Sequence, residues 1–263
     1  LIILYEIKKF FKEIPNLVFL LALPIIMLYV LGKTSAGFTT VVLENMQEFP
    51  AQYELMNLKE VMIPSCYGVM DYFGITMLMM MSFLTCILGA NSYSEEYRQK
   101  TINRLLVAKH SRFRIFIEKT VGLLLVAAFE IGVFLVIAKG IYKVSFATVR
   151  REEVAILLLA FVNSILMLFL GNVIGMIFRK NTLMIIMPLF CIMMLFGGTF
   201  TGNLYIEGLS DWMPIYQLQM AAFRVGTLHT YDLFKTVLYI EGTASILMAG
   251  VAFWLFLRQD EVR

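Results

Sequence analysis

Three carboxylates stand within or at the edge of long apolar runs: Asp71, Glu130 and Glu241. A charge in hydrocarbon is expensive, so such residues must face a bundle interior, a wet cavity or the interface. There they would relay a proton or cation, or line the path of a polar substrate. The plainer reading is that Asp71 and Glu241 lie close enough to run ends to be wetted, while Glu130 hydrogen-bonds a neighbouring helix. Other chemistry is poorly supplied. The histidines, His110 and His229, have no partner at metal-ligand spacing, and the H-E-x-x-H signature of a zinc protease is absent. No apolar run holds a His for a membrane-embedded Ser–His pair, and Asp71 has no second Asp near a span with which to share a proton. Gly32-Lys33-Thr34 resembles the end of a phosphate-binding loop, but Met27 stands where that pattern needs its first glycine. Cys66, Cys86 and Cys191 form no motif and read as small buried apolar residues. The chain is therefore expected to be no enzyme and to bind no metal or cofactor itself, so any energy must come from a partner or an ion gradient.

The elements that would position these residues are membrane spans. Of the 263 residues, 60% are hydrophobic and 16% charged, against roughly 25% charged in a soluble domain. A mean hydropathy of +0.79 excludes disorder and an ordinary soluble fold. Crossing the hydrocarbon core takes about 20 apolar residues, and the sequence supplies six such runs: 14–31, 66–90, 120–138, 154–178, 181–200 and 236–257. An even number of spans puts both ends on one side. A cytoplasmic N-terminus places 14 of the 22 Lys and Arg inside, which sets both termini in the cytoplasm of a multi-pass cell-membrane protein. Leu1 rather than Met opens the chain, which suggests that a few residues have been trimmed. Lys8, Lys9, Lys12 and Glu13 make residues 1–13 an amphipathic helix on the cytoplasmic membrane face rather than a cleavable signal. The expected unit is a single all-α membrane domain, 1–263.

Gly171 and Gly175 have the G-x-x-x-G spacing that lets helices approach closely, within or between subunits. Met77, Met79, Met80 and Met81, with Met184, Met187, Met193 and Met194, read as core or lipid-facing filling, with adaptable contact to a greasy substrate as the alternative. The most informative segment is the cytoplasmic loop. Ser94 followed by Glu95 and Glu96 predicts a helix start with acidic residues at the positive end of its dipole. Glu96 and Lys100 are four apart, and Ile102, Leu105 and Leu106 share a face. This amphipathic helix over about 94–107 would rest on anionic lipid or dock in a partner's groove. Ser111 is placed to cap the next helix.

Glu95-Glu96, Thr101, Leu105-Leu106, Ser111-Arg112 and Lys119 together resemble the loop of the type-2 ABC exporter permease family. In that family the loop reads acidic residues, Gly-Thr, a Leu pair, Pro, Ser-Arg and Lys; here Lys100 and Lys109 replace the Gly and Pro. Pro24 in the first span, the interfacial stretch 1–13, and Phe196-Gly197-Gly198-Thr199-Phe200 leading to Trp212-Met213-Pro214 are similar as well. The resemblance implies six spans, an N-terminal interfacial helix, a coupling helix and an outer re-entrant segment. It implies a half-transporter that pairs with an identical or related permease subunit and rides on a cytoplasmic P-loop ATPase, where ATP and Mg would bind. Glu95, Glu96, Thr101, Arg104, Leu105, Leu106 and Arg112 would couple to that ATPase, and Gly197, Gly198 and Trp212 would form an outer gate. The implied cargo is a peptide, antibiotic or other amphipathic molecule moved out of the cytoplasm; nucleic acid is not an expected partner. The alternative is an ion-coupled secondary transporter working through Asp71, Glu130 and Glu241.

Overall fold

In the computed structural model the described residues are 2–13, 17–34, 69–99, 111–179, 182–197, 199 and 212–258. Among them every regular element is helical. Helix α1 spans Ile2–Lys12, and its buried residues Ile2, Glu6 and Phe10 recur every four positions to form one face. A π-helical stretch, Leu17–Ala22, leads into an apolar helix ending at Thr34, together α2. Pro24 has no N–H to offer the carbonyl of Leu20, and the widened turn just before it accommodates the ring. Then come α3 (Val69–Gln99), α4 (Arg112–Gly140), α5 (Arg150–Phe178), α6 (Thr182–Phe196), α7 (Pro214–Leu228) and α8 (Asp232–Arg258).

Four of these helices, α3, α4, α5 and α8, are long and apolar enough to cross a membrane. The first and fifth apolar runs fall in shorter helices. With 15 residues, α6 is only about 22 Å long at 1.5 Å per residue, less than a typical hydrocarbon core.

One boundary differs from the sequence expectation. The second run does not stop near Ala90: α3 continues unbroken through Glu95 and Glu96 to Gln99. Ser94 is therefore no helix start, and its Oγ donates to the Asn91 carbonyl one turn back at 3.2 Å. Glu, Gln and Arg are good helix formers, so nothing in that stretch obliges a break. Helix α4 starts at Arg112 and carries Arg112, Arg114, Glu118 and Lys119 into the third run, as expected. Its N-cap is Ser111, whose side chain accepts from the Arg114 N–H at 3.3 Å, as the sequence predicts. Ser111→Ala should cost about 1 kcal/mol, read as a lower thermal midpoint of the purified protein.

Helix α3 forms the axis of the bundle. Its whole apolar window is buried inside the protein, whereas only 22% of the α8 window is. Met77, Met79, Met80 and Met81 lie in this core, while Met184 on α6 is 74% exposed. The closest partner of α3 is α5, which runs parallel to it. Gly171 and Gly175 set their spacing: a Cβ at Gly171 would lie 2.0 Å from the Cys86 carbonyl oxygen, and one at Gly175 2.5 Å from that of Ala90. Gly89 answers from the other side, 2.5 Å from the Leu168 oxygen by the same measure. The G-x-x-x-G spacing thus serves contact within the chain. Further along, Asn163 Nδ2 donates to Ser82 Oγ at 2.6 Å, pinning the register of the pair.

At one end of the bundle a second apolar cluster gathers five helices: Ile2 of α1, Tyr93 of α3, Ile115 and Phe116 of α4, Val173 and Met176 of α5, and Ala252 and Phe256 of α8. This cluster fixes the frame around the charged groups described next.

Candidate functional site

Where α1, the end of α3 and the start of α4 meet, charged side chains lie inside the protein. Glu6 enters on the apolar face of α1, between Ile2 and Phe10. Gly122 of α4 admits it, since a Cβ there would sit 3.1 Å from the Glu6 Cβ and 3.3 Å from the Ile3 Cα. One turn earlier on α4, Lys119 is fully buried. Its Nζ lies 2.6 Å from Glu96 Oε1 and 3.7 Å from Glu6 Oε1, and it donates to the Ser92 carbonyl at 3.2 Å. The ammonium also stands 4.2 Å from the centre of the Tyr93 ring. Ser92 Oγ completes the circuit by donating to Glu6 Oε2 at 2.9 Å.

A second ion pair lies further out. Lys9 Nζ is 2.7 Å from Glu95 Oε2 and 3.8 Å from Glu13 Oε1. Burial opposes charge on Lys9, but the Glu95 hydrogen bond and the charges of Glu6, Glu95 and Glu13 outweigh it, so its pKa is raised. A lysine with a raised folded-state pKa contributes stability in full below its unfolded value and loses it as pH climbs through the folded one. Docking of α1 should therefore persist at neutral pH and loosen only in strong alkali, with limited proteolysis near residue 13 as the readout.

The adjacent carboxylates of α3 thus have different roles: Glu95 binds α1 from outside, while Glu96 reaches Lys119 within. Arg112 Nη1 donates to the Leu257 carbonyl at 2.8 Å, tying the first turn of α4 to the last turn of α8. Thr101, Arg104, Leu105 and Leu106 lie outside the described residues. Beside the outer pair a cavity of about 410 Å³ is lined by Tyr5, Lys8, Lys9, Lys12, Glu13 and Glu95. The cluster has no catalytic geometry, and no group of three or more potential metal ligands occurs among the described residues. Mechanically it is a joint: two helix ends and an N-terminal helix are held by one buried cation and one more exposed one.

The remaining sequence-predicted residues are dispersed. Asp71 Oδ1 accepts the Ser145 N–H at 2.6 Å, holding the α4–α5 connection to the start of α3. Glu130 on α4 and Glu241 on α8 are 2% and 6% exposed, each with one buried oxygen lacking a hydrogen-bond partner among the described residues. Gly197 packs tightly on α7, with the Ile215 side chain 2.2 Å from where its Cβ would be. Just beyond, Gln219 Nε2 donates to Thr199 Oγ1 at 2.7 Å. Gly198 lies outside the described residues, and Trp212 is 85% exposed, away from any core.

Sequence reading missed Glu6, Lys9, Ser92 and Tyr93. A signal for Glu6 existed, as a carboxylate at the centre of an i, i+4, i+8 apolar face demands a buried cation. Nothing local announced that Lys119, far along the chain, supplies it.

The model of a family described as ABC-2 family transporter protein matches residues 33–258. No curated protein and no solved structure matches the chain.

Proposed function

Because the chain belongs to the ABC-2 family of transporter proteins, a multi-pass membrane protein in an ATP-powered system, we propose that it is the permease subunit of an exporter. In this reading a separate P-loop ATPase supplies the energy, and a second permease subunit, identical or related, completes the pathway. Both termini face the cytoplasm, and the cargo is a peptide, antibiotic or other amphipathic molecule. The observation that carries the proposal is the course of α3. It is one unbroken helix from the bundle axis to Gln99, and at its charged end Glu95 and Glu96 bind α1 and α4.

A push on the segment after Gln99 has a rigid lever to act on. ATP stabilises the closed ATPase pair, docking passes that bias to residues 101–106, and α3 carries it to the centre of the membrane domain. Lys119 and Lys9 make α1 and α4 follow. Gly197, Gly198 and Trp212 form the outer gate in this mechanism.

The test begins with purification of the chain from its own membrane and identification of a P-loop ATPase that co-purifies with it. Leu105→Asp/Leu106→Asp should reduce ATPase retention at least tenfold without altering elution of the permease alone. Retention at normal affinity would refute the coupling assignment.

One observation favours a second reading, the orphan oxygens of the buried Glu130 and Glu241. If these carboxylates move protons for an ion-coupled transporter, an uncoupler stops transport and vanadate does not. The exporter reading expects the reverse.

A further inference from the structure

The cavity against α1 has a floor of paired charges and a rim of unpaired ones, and exposed apolar side chains lie beside it. On the floor Lys9 is shared by Glu95 and Glu13, which leaves one net negative charge there, outweighed by the two positive charges of Lys8 and Lys12. On the rim stand Tyr5, Lys8 and Lys12, spaced i, i+3, i+7 and so on one stripe of the helix. Lys8 and Lys12 are exposed, and neither is engaged by a carboxylate of the described residues. Two ammonium groups and a phenolic hydroxyl around 410 Å³ of space suit a phosphate oxyanion.

The apolar side chains beside the cavity say which phosphate. Leu4 is 72% and Phe11 48% exposed on the neighbouring edge of α1. Phe11 meets Phe129 of α4 edge-on, with ring centres 5.5 Å apart. Phe129 and, one turn away, Leu125 are about half exposed as well. An apolar track therefore leads from the rim of the cavity along α4, a helix long and apolar enough to span. A free anion gains nothing from such a track, whereas the acyl chains of a lipid lie along it while the headgroup fills the cavity. A choline headgroup would bring its own cation against Lys8 and Lys12, so the preference is for an anionic lipid.

We infer that Tyr5, Lys8 and Lys12 form a headgroup site for an anionic phospholipid, its chains against Phe11, Phe129 and Leu125. A lipid seated there would bridge α1 and α4 beside the Lys119 cluster, adding a lipid-dependent clasp to the joint. The site does not depend on what the chain transports.

The test uses the full chain in vesicles of mixed phosphatidylcholine and phosphatidylglycerol. Photo-activatable analogues of each lipid are cross-linked, and the labelled peptides are mapped. The phosphatidylglycerol analogue should label residues 2–12 and the facing turn of α4 several-fold more than the phosphatidylcholine analogue. Lys8→Gln/Lys12→Gln should cut that label by about fivefold per lysine, while Lys8→Arg/Lys12→Arg keeps it. Equal labelling by the two lipids in the unaltered chain would overturn the assignment whatever the variants do. So would unchanged labelling of the glutamine variant. Displacement of the label by millimolar inorganic phosphate would show a site for the free anion, and would overturn the lipid assignment too.

Discussion

Gly171→Leu should leave the chain unable to close its bundle. The position has no room for even a methyl group: a Cβ would stand 2.0 Å from the Cys86 oxygen, 2.8 Å from its carbonyl carbon and 3.1 Å from the Ala90 nitrogen. All three are backbone atoms of α3, so no rotamer change relieves the clash, and α5 must back away as a body. That withdrawal also parts Gly89 from the Leu168 carbonyl and pulls Asn163 from Ser82. Overpacking a core costs about 1–3 kcal/mol when side chains can yield; here the backbone must move, and the loss exceeds that range. It is comparable to the total stability of many domains, about 5–15 kcal/mol. Gly132→Leu and Gly242→Leu are the controls, since a Cβ at either meets nothing within 4 Å and leucine is the better helix former. Size-exclusion of detergent-solubilised protein after a heating series provides the measurement. Gly132→Leu should elute as a single peak with an unchanged midpoint, and Gly171→Leu should aggregate during extraction. If the two behave alike, the contact between α3 and α5 is not what sets the bundle.

Lys119→Met should be nearly as damaging, for an electrostatic reason. It leaves the Glu6 and Glu96 carboxylates, 2% and 5% exposed, without the cation lying 2.6 Å from Glu96 and 3.7 Å from Glu6. Removing one member of a buried ion pair costs about 3–5 kcal/mol, whereas replacing the whole set by neutral groups of similar volume is often neutral or stabilising. Lys119→Met combined with Glu6→Gln and Glu96→Gln should therefore regain most of the stability lost by Lys119→Met alone. The single variant should free α1, seen as rapid proteolysis between residues 12 and 17, and the triple variant should resist it. A triple variant no more resistant than the single one would mean that charge balance is not what holds α1. Function separates the two further. If the proposed mechanism holds, a restored but uncharged joint keeps its shape while losing the directional Lys119–Glu96 link, so transport per ATPase cycle should stay low even where stability returns.

Helices of spanning length were readable from hydropathy because about 20 consecutive apolar residues leave little freedom, and α4, α5 and α8 follow their runs closely at the apolar ends. Ser111 was legible as a cap because its chemistry is local. Ser94 shows how the same signal misleads. A serine before two glutamates is also an ordinary stretch of helix once the serine bonds back to Asn91, and the tertiary frame decides. Glu96 was singled out as part of an exposed docking helix, whereas its side chain is buried against Lys119. Its partner Lys119 read as a residue at the foot of a span, and only packing of α1 against Gly122 makes both of them interior. Glu130 and Glu241 were legible as costly residues, but their surroundings were not, because helix rotation in a bundle is set by neighbours distant in sequence. Gly171 and Gly175 carried the close approach in their spacing, yet spacing alone could not say whether the partner was this chain or another.

The burial of α3 also bears on the order in which the chain is made. Synthesis delivers α3 long before the α5 residues that cover Gly89 and Ser82. A chain emerging at about 5–20 residues per second must therefore hold an axial helix, with Thr76, Ser82 and Thr85 along it, for several seconds before its sheath exists. During that interval those hydroxyls turn back onto their own helix. Thr76 bonds the Phe73 carbonyl, Ser82 that of Met79 and Thr85 that of Ser82, bonds that need no neighbour. The helix arrives self-sufficient, and its glycine and small-residue edge waits for a partner that is translated some eighty residues later.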